Sequence, residues 1–184
     1  MKLMNKKKIC NFTTNMNMTP LENKIKSASE IKSSIKRIAY QVYENNVDES
    51  SLVVAGIGKR GGQLALLIGA ELKSISALNL IHVTIEMEKS NPRDTVKSSI
   101  PLEEFKNQSI VIVDDVLNTG STLIYAVNYF LQIPVKQINT AVMINRNHKK
   151  FPIKADFKGI SLSTSLNDHV KVVLDDEKSG IYLS

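Results

Sequence analysis

Apolar residues change period several times along this 184-residue chain, and each change marks a new element. Ile31, Ile35, Ile38, Ala39 and Val42 recur at the three- and four-residue spacing of one helical face. Thr19-Pro20-Leu21-Glu22, ahead of them, has the form of a capping box with proline at the first helical position. Together they predict a helix from Thr19 to about Asn45-Asn46. Leu52–Ile57 is short, apolar and β-branched with no polar alternation, as expected of a strand buried on both faces. Gly61-Gly62 then opens a helix with a buried stripe of Leu64, Leu67, Ile68 and Leu72. The order repeats as strand Leu80–Ile85, polar stretch Glu86–Ser99, strand Ile110–Val113, helix Ser121–Leu131 and strand Ile138–Ile144.

Strands alternating with helices imply an α/β domain with a mainly parallel sheet flanked by helices. After Arg146 only short segments remain, around Ile153–Phe157, Val170–Leu174 and Ile181–Leu183, which suit a small C-terminal region. No repeat, low-complexity tract or run of membrane-spanning length interrupts the pattern. The 42% hydrophobic content is enough for one core, so residues 19–184 read as one domain and residues 1–18 as a flexible tail. A lone cysteine, Cys10, excludes a disulfide framework and a Cys-rich zinc site, and fits a reducing cytoplasm. Lys2, Lys6, Lys7 and Lys8, with no acid among residues 1–20, supply four of the six net positive charges, so charge alone argues little for a nucleic-acid partner. The same lysines are not followed by an apolar signal-peptide core, and a cytoplasmic protein with no membrane association is expected.

Ligands of open α/β sheets bind beyond the carboxyl ends of the strands, so the residues after each buried run carry the chemistry. After Ile110–Val113, the carboxylates of Asp114 and Asp115 lead into Asn118-Thr119-Gly120-Ser121-Thr122 and a helix. Glycine and hydroxyl residues at such a turn offer backbone N–H groups and the positive helix end to a phosphate. The carboxylates would repel that phosphate; they suit sugar hydroxyls, or a cation held through water. A ligand with a terminal phosphate, a ribose and a metal-bound diphosphate meets all of these at once. The alternative is a plain strand–turn–helix junction capped by Ser and Thr.

The run Val111–Thr122 resembles the phosphoribosyl diphosphate (PRPP) signature of type I phosphoribosyltransferases: two hydrophobics, two acids and a Thr-Gly-x-Thr loop. That resemblance implies the type I phosphoribosyltransferase fold, with a small C-terminal hood. It also implies PRPP binding by Lys59, Arg60, Gly61, Asp114, Asp115, Asn118, Thr119, Gly120, Ser121 and Thr122, with Asp114, Asp115 and Arg60 catalytic. Mg²⁺ is the implied cofactor, met by Asp114 and Asp115 through water. Gly58-Lys59-Arg60-Gly61-Gly62 resembles the family's diphosphate loop, where Lys59–Arg60 matches a bond often cis in the family; alone, it also reads as a solvated basic turn. Glu86–Ser99 corresponds to a lid in which Lys89 and Arg93 could reach diphosphate; a solvated connector is the equal alternative.

Residues 145–159, Asn-Arg-Asn-His-Lys-Lys-Phe-Pro-Ile-Lys-Ala-Asp-Phe-Lys-Gly, resemble the bifunctional pyrimidine-operon attenuator/uracil phosphoribosyltransferase family, and the likeness extends from about Ser29 to Leu174. It departs from the family at Asn145, Asn147 and Phe157, where the family has Asp, Gly and Tyr, and at Glu86–Asp94, which lacks the family's lid tyrosine. Asn118 stands where 6-oxopurine enzymes place an aspartate base, and an amide cannot take a proton at neutral pH, which favours a pyrimidine. The resemblance implies uracil and PRPP giving UMP and diphosphate, Arg146 lining the base pocket, and a homodimer or higher homo-oligomer. Attenuator proteins also bind messenger RNA through a basic surface. His148, Lys149 and Lys154 fit it, whereas Tyr40 and Ile160 replace a family histidine and lysine; a solvated basic loop is the other reading. The rival function is therefore a nucleotide-sensing RNA-binding regulator with little catalysis.

Overall fold

The computed structural model describes residues 23–88, 91–92, 96–165, 167–175 and 179–184. The proposed tail, Thr19–Glu22, Lys89 and Arg93 lie outside them. The chain begins with β1 (Asn23–Lys26), α1 (Ala28–Glu44), β2 (Ser51–Ile57), α2 (Gly58–Ile75), β3 (Asn79–Glu86) and β4 (Lys97–Ser98). After a 3₁₀ turn at Leu102–Phe105 come β5 (Ser109–Leu117), α3 (Ser121–Phe130), β6 (Gln137–Arg146), β7 (Phe157–Leu162), β8 (Val170–Val173) and β9 (Gly180–Leu183).

Six strands form the main sheet in the order β4-β3-β2-β5-β6-β7, parallel except for β4, which pairs antiparallel with β3 at Ile85–Ser98 and Glu86–Lys97. The alternating strand–helix pattern thus becomes the expected α/β fold. Val53 and Ala55 of β2 pack beneath α3 with Leu123, Ala126 and Phe130, while Leu52 and Val54 pack beneath α1 and α2 with Ile38, Val42, Leu64 and Ile68. Both faces of β2 are therefore buried, which is why its sequence shows no polar alternation. A second sheet, antiparallel in the order β1-β9-β8, joins the two ends of the domain; Val172 and Ile181 tie it into the core under α1 and α2.

The helix expected from Thr19 begins only at Ala28, because Asn23–Lys26 are drawn into an antiparallel pairing with β9. The capping-box spacing recurs at Ser27–Glu30, immediately before the first buried isoleucine, and this second box is the one that forms. Ser27 Oγ accepts from Glu30 N, and the Glu30 carboxylate accepts from Ser27 N at 2.9 Å. The Lys26 ammonium, then the Ser27 N–H and hydroxyl, hold the Glu30 carboxyl at about 2. The helix ends at Glu44 with Asn45 as its cap, as the spacing predicts. Two other boundaries move, and one buried position proves exposed. α2 starts at Gly58 rather than Gly61; Leu67, assigned to its buried stripe, lies on the exposed flank beside Leu66. The segment expected around Ile153–Phe157 becomes a strand only from Phe157, where it joins the edge of the main sheet.

The imidazole of His82 on β3 lies against Gly69 of α2, where an added Cβ would fall 2.3 Å from its Cε1. Burial, then the Lys73 ammonium, push this imidazole below its ordinary value of 6.5. The unfolded chain therefore takes up the proton first, so the contribution of neutral His82 is complete above 6.5 and is lost as pH falls below it. Chemical denaturation across this range should show stability declining on acidification in the wild type and a flatter profile in His82→Gln. Ser27→Ala, which removes the working cap, should cost about 1 kcal/mol in the same assay.

Candidate active site

The first turn of α2 lies almost on the backbone of the two central strands. A Cβ at Gly61 would sit 2.6 Å from the Val113 carbonyl oxygen, and one at Gly56 would sit 2.5 Å from the Gly62 Cα. Any side chain at Gly56 or Gly61 would lift the helix away from β2 and β5. Gly58 makes the strand-to-helix turn with φ +59°, and the peptide between Lys59 and Arg60 is trans, correcting the cis bond expected there. Gly58 absorbs the unusual backbone angle, and helical geometry starts at once.

This approach brings Arg60 to Asp115, with Nη1 and Oδ2 3.7 Å apart. Asp115 is buried while Arg60 is largely exposed, so the guanidinium caps the carboxylate and keeps donors for a ligand. Lys59 turns instead toward a cavity of about 540 Å³ between α2 and β3, shared with His82, Thr84 and Glu86. The two adjacent basic residues thus serve different spaces.

Asp114 and Asp115 lie within β5 rather than after it, since pairing with β6 continues to Leu117. Strict alternation would put Val113 and Leu117 on one face, yet Val113 packs beneath α2 and Leu117 with the α3 cluster. The phase slips once across Asp114–Val116. Both carboxylates are consequently buried at the C-terminal end of the strand, Asp114 lining a cavity with the following loop and Asp115 facing Arg60. The Asp115 N–H donates to Asp114 Oδ1 at 3.0 Å, which fixes their relative orientation.

Asn118, Thr119, Gly120 and Thr122 complete that cavity, of about 40 Å³. Gly120 precedes α3 in the left-handed region, φ +85°, and no side chain caps the helix. The first turn therefore has no Ser or Asp cap at the position before it, which leaves N–H groups beyond Ser121 to be met by an anion. Ser121 N donates to Thr119 Oγ1 at 3.3 Å. Sequence reading missed what steadies this loop. The Thr119 carbonyl accepts from Lys150 N at 2.9 Å and Phe151 N at 3.1 Å, Ile153 closes over Gly120, and the Phe151 ring meets Tyr125 edge-on. The apolar triplet Phe151-Pro152-Ile153 inside a basic stretch was the signal available.

Arg146 is buried at the C-terminal end of β6, but its guanidinium is engaged within the protein. It donates to Thr164 Oγ1 at 2.7 and 3.0 Å and to Ser165 O at 3.1 Å, and so braces the segment that leads to β8. His148 Nε2 joins the same segment at Thr164 O, 2.8 Å away. Beyond it, Lys149 is partly buried, and burial, followed by the charges of Lys154 and Lys158, lowers its ammonium below the ordinary lysine range. Among the described residues no three His, Cys, Asp or Glu side chains gather as a metal site. Two buried carboxylates with one guanidinium nearby fit a divalent cation that takes most of its ligands from a bound diphosphate.

A strand carrying two acids, a glycine-led anion loop and a basic helix start, side by side at the carboxyl edge of a parallel sheet, define a phosphoribosyltransferase. Residues 23–177 match the phosphoribosyl transferase domain family, and the chain belongs to it, with the type I phosphoribosyltransferase fold. It is 32% identical over 176 residues to the Bifunctional protein PyrR of Microcystis aeruginosa, covering 90% of this chain and 99% of that protein. The protein of the same name from Macrococcus caseolyticus is 32% identical over 162 residues, 83% of this chain and 93% of the relative. Among solved structures, the hypoxanthine phosphoribosyltransferase of Trypanosoma cruzi superposes with a TM-score of 0.72 at 16% identity, covering 88% of this chain and 95% of that one. A hypoxanthine-guanine phosphoribosyltransferase of Bacillus anthracis gives 0.69 at 13%, covering 88% and 96%. At these identities the structures share the fold. Among the described residues no helix is long and apolar enough to cross a membrane.

The glycine geometry makes a paired prediction. Gly61→Ala should destabilise the fold by about 1–3 kcal/mol through overpacking and weaken PRPP binding at least tenfold. Gly62→Ala, whose Cβ would meet nothing within 4 Å, should leave both within twofold. Thermal melts and PRPP titration of the two variants provide the comparison; equal behaviour would show that the approach of α2 to β5 does not shape the site.

Proposed function

We propose that this protein transfers the phosphoribosyl group of PRPP to uracil, giving UMP and diphosphate, with Mg²⁺ as cofactor. The observation that carries the reading is the pair of buried carboxylates, Asp114 and Asp115, set between the uncapped start of α3 and Arg60. The choice of uracil is supported by the resemblance of residues 145–159 to the attenuator/uracil phosphoribosyltransferase family and by the amide at Asn118.

Backbone donors from Asn118 to Thr122, with the Thr119, Ser121 and Thr122 hydroxyls, hold the 5′-phosphate. Asp114 and Asp115 accept from the ribose hydroxyls, and their charge favours the electron-poor ring as the C1–oxygen bond to diphosphate breaks. Bound Mg²⁺ supplies neutralising charge to the leaving diphosphate. Arg60 and Lys59 add cationic contacts on the α2 side, with Gly61 letting the helix come close enough. The base nitrogen closes on C1, and its proton goes to solvent or the departing diphosphate, since Asn118 cannot take it. Arg146 shapes the base end through the Thr164–Ser165 segment that it holds. Burial in a two-fold or higher assembly of this chain, and a cytoplasmic location, belong to the same reading.

A second reading is favoured by the clustering of Lys149 with Lys154 and Lys158: burial and then the charges of these two lysines lower the Lys149 ammonium below the ordinary lysine range. Such a field suits a polyanion, and the chain would then act as an RNA-binding regulator that senses nucleotides with little turnover. Its binding should fall steeply with salt and further on Lys149→Ala/Lys154→Ala.

Incubation with PRPP, Mg²⁺ and, in parallel, uracil, orotate, hypoxanthine, guanine and adenine separates the two. The expected outcome is UMP from uracil alone, reduced about 100-fold or more in Asp114→Asn/Asp115→Asn. No product from any base, with UMP still bound, would transfer the case to the regulator. Binding of neither PRPP nor UMP would sink both.

A further inference from the structure

Gln63 follows the basic first turn of α2 and reaches across to the small sheet. Its Nε2 donates to the Leu174 carbonyl at 3.0 Å and to Asp175 Oδ1 at 3.2 Å, where the chain leaves β8. Gln63 lies four residues beyond Lys59, on the same helical face, and both line the cavity between α2 and β3 together with Gly58, Gly62 and Asp175. Ahead of β8, Thr164 and Ser165 are held by Arg146. The segment that contains β8 is thus held before the strand by Arg146, at the end of β6, and directly after it by Gln63, in the first turns of α2 beyond β2. Leu174 itself is buried in the core under α1 and α2, so its carbonyl is a fixed point rather than a loose one.

We propose that Gln63 is a positioning residue for phosphoribosyl transfer, locking the β8 segment to the diphosphate-binding turn so that the base end of the site is held in register with the PRPP end. The proposal builds on the transfer reading above. An amide is suited to the task because its two N–H bonds can serve a carbonyl and a carboxylate together, and the carboxylate partner makes one of these bonds charge-assisted. Glutamate at this position would reverse the interaction, setting a negative charge against both the Leu174 oxygen and the Asp175 carboxylate. Because Gln63 acts on the segment and not on PRPP, its loss is felt at the base.

The test compares wild type with Gln63→Ala, Gln63→Glu and Gln63→Glu/Asp175→Asn in steady-state kinetics with PRPP and uracil, alongside thermal melts. Gln63→Ala should raise KM for uracil about tenfold with KM for PRPP changed less than about threefold and the melting temperature nearly unchanged. Gln63→Glu should be worse, and Asp175→Asn, which supplies a donor to the new carboxylate, should recover most of the loss. Unchanged KM values in Gln63→Ala, or losses that track melting temperature with no recovery in the double variant, would overturn the proposal. Should wild type make no nucleotide from any base, that failure belongs to the transfer reading, and titration of UMP decides this one: about tenfold weaker binding in Gln63→Ala supports the lock, and equal binding overturns it. Wild type that binds neither PRPP nor UMP overturns both.

Discussion

The separation between the first turn of α2 and the β5 backbone is the constraint on which the site depends. With no Cβ at Gly61, the helix backbone comes close enough to Val113 for the Arg60 guanidinium to reach Asp115. Gly56 permits the matching contact of β2 with the helix backbone at Gly62. Further along, Leu64, Ile68 and Leu72 anchor α2 in the core. The core fixes the helix, and the glycines decide how near its cationic turn comes to the carboxylates.

The second requirement is that two adjacent acids act at one place. A regular strand would point them to opposite sides of the sheet, where a single ribose could not meet both. The phase slip between Val113 and Leu117 relaxes that opposition, and the Asp115 N–H bond to Asp114 holds the result. The anion loop that follows is equally braced: Thr119 is bonded to the Lys150 and Phe151 backbone, and Ile153 leaves Gly120 no room for a side chain. A loop held this way spends little of a ligand's binding free energy on its own ordering, as the proposed transfer requires.

Much of this was legible from local pattern. Leu52–Ile57 and Ile110–Val113 announced buried parallel strands because both faces are covered, and Asp-Asp followed by Thr-Gly-Ser-Thr announced the strand-to-helix junction at the carboxyl edge of the sheet. What local pattern could not supply was partnership between distant segments. Asn23–Lys26 became a strand because β9, far along the chain, was there to pair with it, and that pairing moved the helix start from Thr19 to Ser27 although both carry the same capping spacing. Arg146 read as a side chain lining the base pocket, and nothing in its neighbourhood revealed that Thr164 and Ser165 would also hold its guanidinium. Lys59 and Arg60 read as one basic patch, whereas successive positions on a helix are about 100° apart and point into different spaces. The tether at Gln63 was invisible for the same reason, since its partners lie more than a hundred residues away.

The proposed function needs one nucleotide site at the carboxyl ends of β2, β5 and β6, with the phosphate at the start of α3 and the sugar at the two acids. A crystal structure with UMP bound is the decisive measurement. The 5′-phosphate should lie against the backbone N–H groups of Asn118–Thr122, with the ribose hydroxyls within hydrogen-bond reach of Asp114 or Asp115. UMP seated instead in the 540 Å³ cavity between α2 and β3, with the α3 start left to solvent, would contradict it.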